Sequence, residues 1–78
     1  MQSAENGTIS LQARERLGEQ LIYYRREHNL SLHDLSRMSG VDIRHIDNLE
    51  AGNTNSDLKT LCALAEALGK KIRIDIID

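Results

Sequence analysis

The chain has 78 residues, which is enough for one small domain. Its net charge of −2 argues against nonspecific binding of polyanions, and only two aromatic residues argue against stacking on single-stranded nucleic acid. The single cysteine excludes an intrachain disulfide and suits a reducing compartment. With no apolar run of the ~20 residues that a membrane span needs, and no signal-peptide pattern, we expect a cytoplasmic protein without a membrane partner.

Residues 1–9 are polar and are expected to form a flexible tail. Ser10 is suited to cap a first helix from about Leu11 to His28. Its predicted inner face consists of Leu17, Leu21 and Tyr24.

The segment from Leu30 to Gly52 predicts two short helices joined by a tight turn. Ser31 can cap the first, at about 32–39, and Asp34 supplies an acidic variant of the capping box. Gly40 stands where this helix must end, because glycine adopts positive φ at little cost. Asp42 can cap the second, at about 43–51. Apolar residues recur at helical spacing in both helices, namely Leu32, Leu35, Met38, Ile46 and Leu49. This pattern is typical of a helix-turn-helix.

After the polar loop 52–56, Asp57 can cap a further helix that ends at Gly69. Its predicted apolar stripe is Leu58, Leu61, Ala65 and Leu68. The tail then alternates, and this period predicts a strand whose apolar side is Ile72, Ile74 and Ile76. A lone strand cannot pair its own backbone, so we expect it to pair with the same strand of a second copy; a frayed tail or a linker is the alternative.

From Leu17 to Gly69 the sequence resembles the Cro/C1-type (XRE) helix-turn-helix domain. The matching elements are LGEQL with Arg25, LSxxxL, SGV, IxxLExG and LKTLxxLAxALG, in this order. The resemblance implies a lambda-repressor-like bundle of five helices, so the expected fold is mainly α with a C-terminal β-strand that pairs across a homodimer. It also implies an ion pair between Arg25 and Glu50. The domain organisation is then a tail at 1–9, a DNA-binding domain at 10–69 and a dimerising strand at 70–78.

The same resemblance places the first turn of the second helix-turn-helix helix in the major groove of DNA. The candidate base contacts are Ile43, Arg44, His45, Asp47 and Asn48. The candidate phosphate contacts are Ser31, His33, Arg37, Asn53, Thr54 and Asn55. Among these, Arg44 suits guanine and Asn48 suits adenine, because their side chains match the major-groove edges of those bases.

The sequence departs from the family pattern at several of these positions. Leu32 stands where the family often has glutamine, and Asn53 and Thr54 stand where it often has lysine or arginine. Asp47 puts a negative charge on the reading helix, where it can accept from cytosine N4 or repel phosphate. These departures predict few phosphate contacts and a shallow salt dependence.

We therefore expect a sequence-specific regulator of double-stranded DNA that acts as a homodimeric repressor. The tail LGKKIRIDII is further similar to HipB-type antitoxins, which implies an antitoxin that represses its own operon and binds a toxin. The alternative is a protein-interaction adaptor that keeps the fold without binding DNA. No enzyme is expected, since no acid–base pair or phosphate loop is present, and neither a cofactor nor a metal is expected, since the histidines lack ligand spacing.

Overall fold

The computed structural model describes residues 10–73 and residue 76. It contains four helices, which are α1 (Leu11–Glu27), α2 (Leu32–Ser39), α3 (Ile43–Glu50) and α4 (Leu58–Ala67). Each helix that the sequence places along the chain is therefore present, with its ends within two residues of the prediction. None of these helices is long and apolar enough to cross a membrane.

The expectation of five helices and a C-terminal strand is wrong. Within the described residues the chain forms four helices and no strand, and 70–73 continue as irregular backbone. Ile72 packs against the helical core of its own chain, whereas Ile76 is 100% exposed, so the two do not share one buried strand face. The alternating pattern misled because a strand also needs a second edge to pair with. Ile74 and the tail at 1–9 lie outside the described residues.

Each helix begins at the residue that the sequence indicated. The side chains of Ser10, Ser31, Asp42 and Asp57 each accept a hydrogen bond from a backbone N–H in the first turn of the helix that follows. At Ser31 the capping box is complete, because the Asp34 carboxylate accepts from the Ser31 N–H in return. These bonds satisfy N–H groups that a helix start otherwise leaves without a partner.

Three of the four helices end in a Schellman motif. In this motif one residue has a left-handed backbone conformation, and its N–H and the next N–H donate to carbonyls of the last helical turn. That residue is Asn29 after α1, Gly52 after α3 and Gly69 after α4. After α3, the N–H groups of Gly52 and Asn53 donate to the carbonyls of Leu49 and Asn48, at 3.1 and 3.0 Å. The end of α3 is therefore fixed together with the first residues of the following loop.

The core lies where the four helices meet. Its buried apolar side chains are Leu21, Leu35, Ile46, Leu49, Leu61, Leu64 and Leu68, with Ala65 buried beside them. Two residues predicted from helical spacing are instead exposed, Met38 by 55% and Leu58 by 49%. Both stand at a helix end, in the last turn of α2 and at the first residue of α4, where spacing alone does not show whether anything packs on them.

Helices α1 and α3 cross with their backbones in close contact at Gly18. A Cβ atom on this residue would lie 2.6 Å from the carbonyl oxygens of both Leu49 and Glu50. Only glycine permits this approach, although glycine costs stability inside a helix. The crossing fixes the C-terminal end of α3 against α1.

Candidate nucleic-acid interface

Helix α3 has one buried and one exposed face. Ile46 and Leu49 are buried in the core, whereas Arg44, Asp47 and Asn48 are exposed. We call these three exposed residues the reading face. Their position follows from the helical period, because residues three and four apart share one face of a helix. The face presents a guanidinium, a carboxylate and an amide, which are groups that can hydrogen-bond base edges.

The other two predicted base contacts are less accessible. Ile43 and His45 are both half-buried. The Nε2 atom of His45 lies 2.9 Å from Oγ of Ser56, so this ring nitrogen is already hydrogen-bonded within the protein. The structure thus separates the five candidates into three that are exposed and two that are partly covered.

Arg25 holds the far end of α3. Its Nε and Nη2 atoms donate to the two carboxylate oxygens of Glu50, at 2.7 and 2.9 Å. The two side chains are only 14% and 7% exposed. The hydrogen bond to Glu50 raises the pKa of Arg25, and the nearby charge of Asp47 contributes in the same direction. The structure thus brings together the pair that the family resemblance implied.

A third bond from Arg25 goes beyond what the sequence indicates. Its Nη1 atom donates to the backbone carbonyl of Leu30 at 3.0 Å, just after α1 ends. One side chain therefore connects α1, the link to α2 and the last residue of α3. This arrangement limits rotation of α3 relative to the rest of the domain.

The predicted phosphate contacts at the start of α2 and along it are exposed, but two of the three, Ser31 and Arg37, are already bonded to Asp34. Ser31 and Asp34 bind each other through the capping box, and Nη2 of Arg37 lies 2.7 Å from Oδ1 of Asp34. The hydrogen bond from the Ser31 backbone, followed by that from its hydroxyl, lowers the pKa of Asp34. His33 is exposed between them. A carboxylate therefore occupies the first turn of α2, where phosphate would otherwise be attracted by the free N–H groups.

The loop from 52 to 56 carries the remaining phosphate candidates. Asn53 is exposed, whereas Thr54 and Asn55 are half-buried. Within the loop, the Thr54 hydroxyl donates to the Asn55 carbonyl at 3.2 Å. Ser56, which sequence reasoning did not single out, closes the loop through its contact with His45. No local pattern could have found Ser56, since its partner lies eleven residues away.

The charges around this surface nearly balance. Arg37 and Arg44 are exposed cations, while Asp34, Asp42 and Asp47 are carboxylates on or beside the same two helices. Asp42 has a structural use, because it caps α3 by accepting from the Arg44 N–H at 2.9 Å. Asp47 is exposed, and its charge favours the charged form of Arg25. Any nucleic-acid binding here would depend more on directed hydrogen bonds than on net positive charge.

Other chemistry finds little support in the part of the chain that the structure describes. Over 10–73 and at 76, no three His, Cys, Asp or Glu side chains come together in a way that could hold a metal ion. Cys62 is a half-buried free thiol on α4. These residues add nothing to the surface formed by α2, α3 and the loop 52–56.

Several solved structures of regulatory proteins are similar to this chain. An HTH_3 family transcriptional regulator from Vibrio cholerae is 23% identical with a TM-score of 0.75, and covers 78% of this chain and 34% of its own. This chain thus spans about a third of that protein. The restriction-modification controller protein C.AhdI from Aeromonas hydrophila is 29% identical with a TM-score of 0.72, over 74% of this chain and 88% of its own.

A third similar structure is the clp gene regulator ClgR from Corynebacterium glutamicum. It is 28% identical with a TM-score of 0.73, over 83% of this chain and 81% of its own. No curated protein matches the sequence significantly.

The helix-turn-helix family HTH_3 matches residues 21–74, which is well over half of the chain. The match includes α2, the turn at Gly40, α3, α4 and part of α1. The resemblance to Cro/C1-type domains is confirmed by this match. It also supports the expectation that this domain is a DNA-binding one rather than an enzymatic one. The chain belongs to the HTH_3 family of Cro/C1-type helix-turn-helix proteins, the DNA-binding regulators.

Proposed function

We propose that the protein is a transcriptional repressor that inserts α3 into the major groove of a specific operator. The observation that carries the proposal is the reading face itself. Three polar side chains are exposed on a helix whose opposite face is buried, whose start is capped and whose end is held by Arg25. A helix fixed in this way presents its side chains to bases with little further cost of ordering them on binding. The regulators and the controller protein with similar structures support the same interpretation.

The reading face suggests a role for each of its residues. Arg44 can form two hydrogen bonds to O6 and N7 of a guanine, and Asn48 can pair with N6 and N7 of an adenine. Asp47 can accept from N4 of a cytosine. The proposed contacts to the sugar–phosphate backbone are Asn53, Thr54 and Asn55 in the loop, His33 and Arg37 on α2, and Ser31, which caps α2.

We further propose that two copies bind one operator. Helix α3 has eight residues. At 1.5 Å per residue it is about 12 Å long, which spans only about 3–4 base pairs. So few base pairs give little specificity in a genome. Two copies on a pseudo-palindromic site with half-sites about 10 base pairs apart would double the sequence that is read.

The test is a titration of fluorescent DNA from the region upstream of the protein's own gene, at two salt concentrations. We expect specific binding that Arg44→Ala weakens by about 5- to 150-fold, since a good bidentate base contact is worth roughly 1–3 kcal/mol. The matched control is Arg26→Ala, which removes an exposed arginine of α1 and should leave the affinity unchanged. Equal losses in both variants would contradict the proposed reading face.

One observation favours a second candidate function. Three carboxylates stand beside two guanidiniums on and around α2 and α3, which suits a protein partner better than a polyanion. An adaptor that has kept the fold would bind no DNA even at low salt, where phosphate contacts are strongest. The same titration therefore decides between the two functions.

An antitoxin role is the narrowest version of the repressor proposal. Its support is the likeness of the tail LGKKIRIDII to HipB-type antitoxins. Co-expression with the product of the adjacent gene tests it directly. A toxin partner should co-purify with this chain and should lose its toxicity when this chain is present, whereas independent behaviour of the two proteins would reject the role.

A further inference from the structure

We propose that His45 is a positioning residue that fixes the loop 52–56 against α3, and that it is not a base reader. This inference rests on the proposed DNA binding and names which residues place the phosphate contacts of the loop. The observation behind it is that both ends of this loop are bonded to α3, the helix that carries the reading face.

The start of the loop is bonded to α3 through the backbone. Gly52 has a φ of 74°, and the N–H of Asn53 then donates to the carbonyl of Asn48 at 3.0 Å. Asn48 itself belongs to the reading face. The first phosphate candidate of the loop is thus one hydrogen bond away from a proposed base contact.

The end of the loop is bonded to α3 through side chains. Nε2 of His45 lies 2.9 Å from Oγ of Ser56, and both residues are half-buried. The next residue, Asp57, accepts from the Thr60 N–H at 2.9 Å and caps α4. The contact between His45 and Ser56 therefore stands where the loop joins α4 and connects α3 to the start of that helix.

Between these two anchors lie the three phosphate candidates Asn53, Thr54 and Asn55. If the anchor at Ser56 is removed, the loop loses its side-chain bond to α3, and ordering the loop then costs more free energy when DNA binds. The imidazole of His45 also has one nitrogen committed to Ser56, which leaves it poorly placed to read a base. The geometry therefore assigns His45 the role of holding the loop in place, rather than that of contacting bases in the major groove of DNA.

The experiment compares Ser56→Ala, His45→Phe, their double variant and His45→Gln. Glutamine can keep the bond, because its terminal amide reaches about as far as Nε2 and can donate to Oγ. We expect Ser56→Ala and His45→Phe each to weaken operator binding by roughly three- to tenfold, the range that one hydrogen bond supports. The double variant should be no weaker than either single one, and His45→Gln should stay close to the wild type.

Two readouts separate positioning from a direct contact of His45 with DNA. The slope of log affinity against log salt should stay as in the wild type, because Asn53, Thr54 and Asn55 are uncharged and release no counterions when they bind phosphate. The preference among operators with single base changes should stay as in the wild type. A shallower salt slope in His45→Phe would overturn the proposal, because the imidazole itself would then be a charged phosphate contact. A new base preference in His45→Gln combined with unchanged binding by Ser56→Ala would overturn it as well.

Hydrogen exchange of the backbone amides of 53–57, measured without DNA, makes the test independent of the proposed function. Faster exchange there in Ser56→Ala and His45→Phe, and wild-type exchange in His45→Gln, would establish the anchor even if no operator is bound. Unchanged exchange in Ser56→Ala would overturn it. His28→Phe, which removes an exposed histidine after α1, is the control for replacing an imidazole.

Discussion

Arg25 joins three parts of the fold through one side chain. Its guanidinium donates to both oxygens of Glu50 and to the carbonyl of Leu30, and it is largely shielded from water. Burial makes such a pair costly to break from one side, because the remaining charge loses its partner without regaining its hydration. The pair of Arg37 and Asp34 has the same chemistry but is exposed to solvent.

Replacing Glu50 with alanine should therefore reduce the free energy of unfolding by about 1–3 kcal/mol, because the Arg25 charge is left partly buried and unpaired. Urea denaturation followed by circular dichroism measures this loss. Arg37→Ala is the matched control and should change the midpoint little, since exposed pairs contribute little. Equal losses of unfolding free energy in the two variants would mean that the burial of Arg25 does not strengthen its contribution to stability.

The position of α3 depends on its crossing with α1 at Gly18. In most helical positions alanine is preferred to glycine by about 0.8–1.0 kcal/mol, so a Gly→Ala change would ordinarily stabilise the domain. At Gly18 the added Cβ would meet two backbone carbonyl oxygens at 2.6 Å, and backbone cannot rotate away as a side chain can. Packing thus opposes helix propensity at this site.

We expect Gly18→Ala to lower the free energy of unfolding by about 1–3 kcal/mol, the usual cost of overpacking. It should also weaken operator binding, because α3 must shift to make room. Thermal unfolding and the DNA titration give the two measurements. The control is Gln20→Ala, an exposed change on the same helix that should be neutral or slightly stabilising. A stabilised Gly18→Ala would show that the helices separate at no cost.

The helix caps make stability depend on pH at the acid end. Hydrogen bonds from Thr60 lower the pKa of Asp57, and those from Ser31 lower the pKa of Asp34. A carboxyl whose pKa is lower in the folded state adds stability that is fully present above its unfolded pKa, about 3.9. That stability is lost as the pH falls through the lower, folded value.

The urea concentration at the unfolding midpoint, measured from pH 7 to pH 2, should therefore decrease once the pH is below about 4. Asp57→Asn should keep neutral-pH stability close to the wild type, because asparagine caps a helix about as well as aspartate. It should lose less stability on acidification, since it has no carboxyl to protonate. If Asp57→Asn loses as much stability on acidification as the wild type does, the Asp57 cap does not contribute to the pH dependence.

Local signals explain why the helices were predictable from the sequence. Ser10, Ser31, Asp42 and Asp57 act on residues two or three positions away, so the pattern that predicts each helix start is contained in a few adjacent letters. Contacts between distant parts of the chain carry no such pattern. The bond of His45 to Ser56 and the close approach at Gly18 could not be predicted in this way, and both bear directly on the candidate site.

At the scale of the whole molecule, the tail shows how a pattern can mislead. Three alternating isoleucines predict a strand, yet Ile72 is half-buried on the helical core and Ile76 is fully exposed. A domain of this size has few apolar side chains, and burying one more against existing helices needs no second edge. The periodicity is present in the sequence, but it does not say which surface receives the side chain.

Ile72→Ala should consequently destabilise the domain by about 1–2 kcal/mol, less than for a fully buried isoleucine because the side chain is only half-covered. Ile76→Ala, the matched control in the same tail, should leave the unfolding midpoint unchanged. Thermal melts at several protein concentrations check both. Comparable losses in the two variants would mean that Ile76 is packed in solution.

The two faces of α3 differ in the contacts that their side chains make with the rest of the protein. The side chains of Arg44 and Asn48 make no hydrogen bond or ion pair over 10–73, whereas Ile46, Leu49 and Glu50 are tied into the core and to Arg25. Amino acids can therefore be exchanged at positions 44 and 48 without rebuilding the domain. The scaffold offers a starting point for evolving variants with altered target sequences, provided that its inward-facing residues are left untouched.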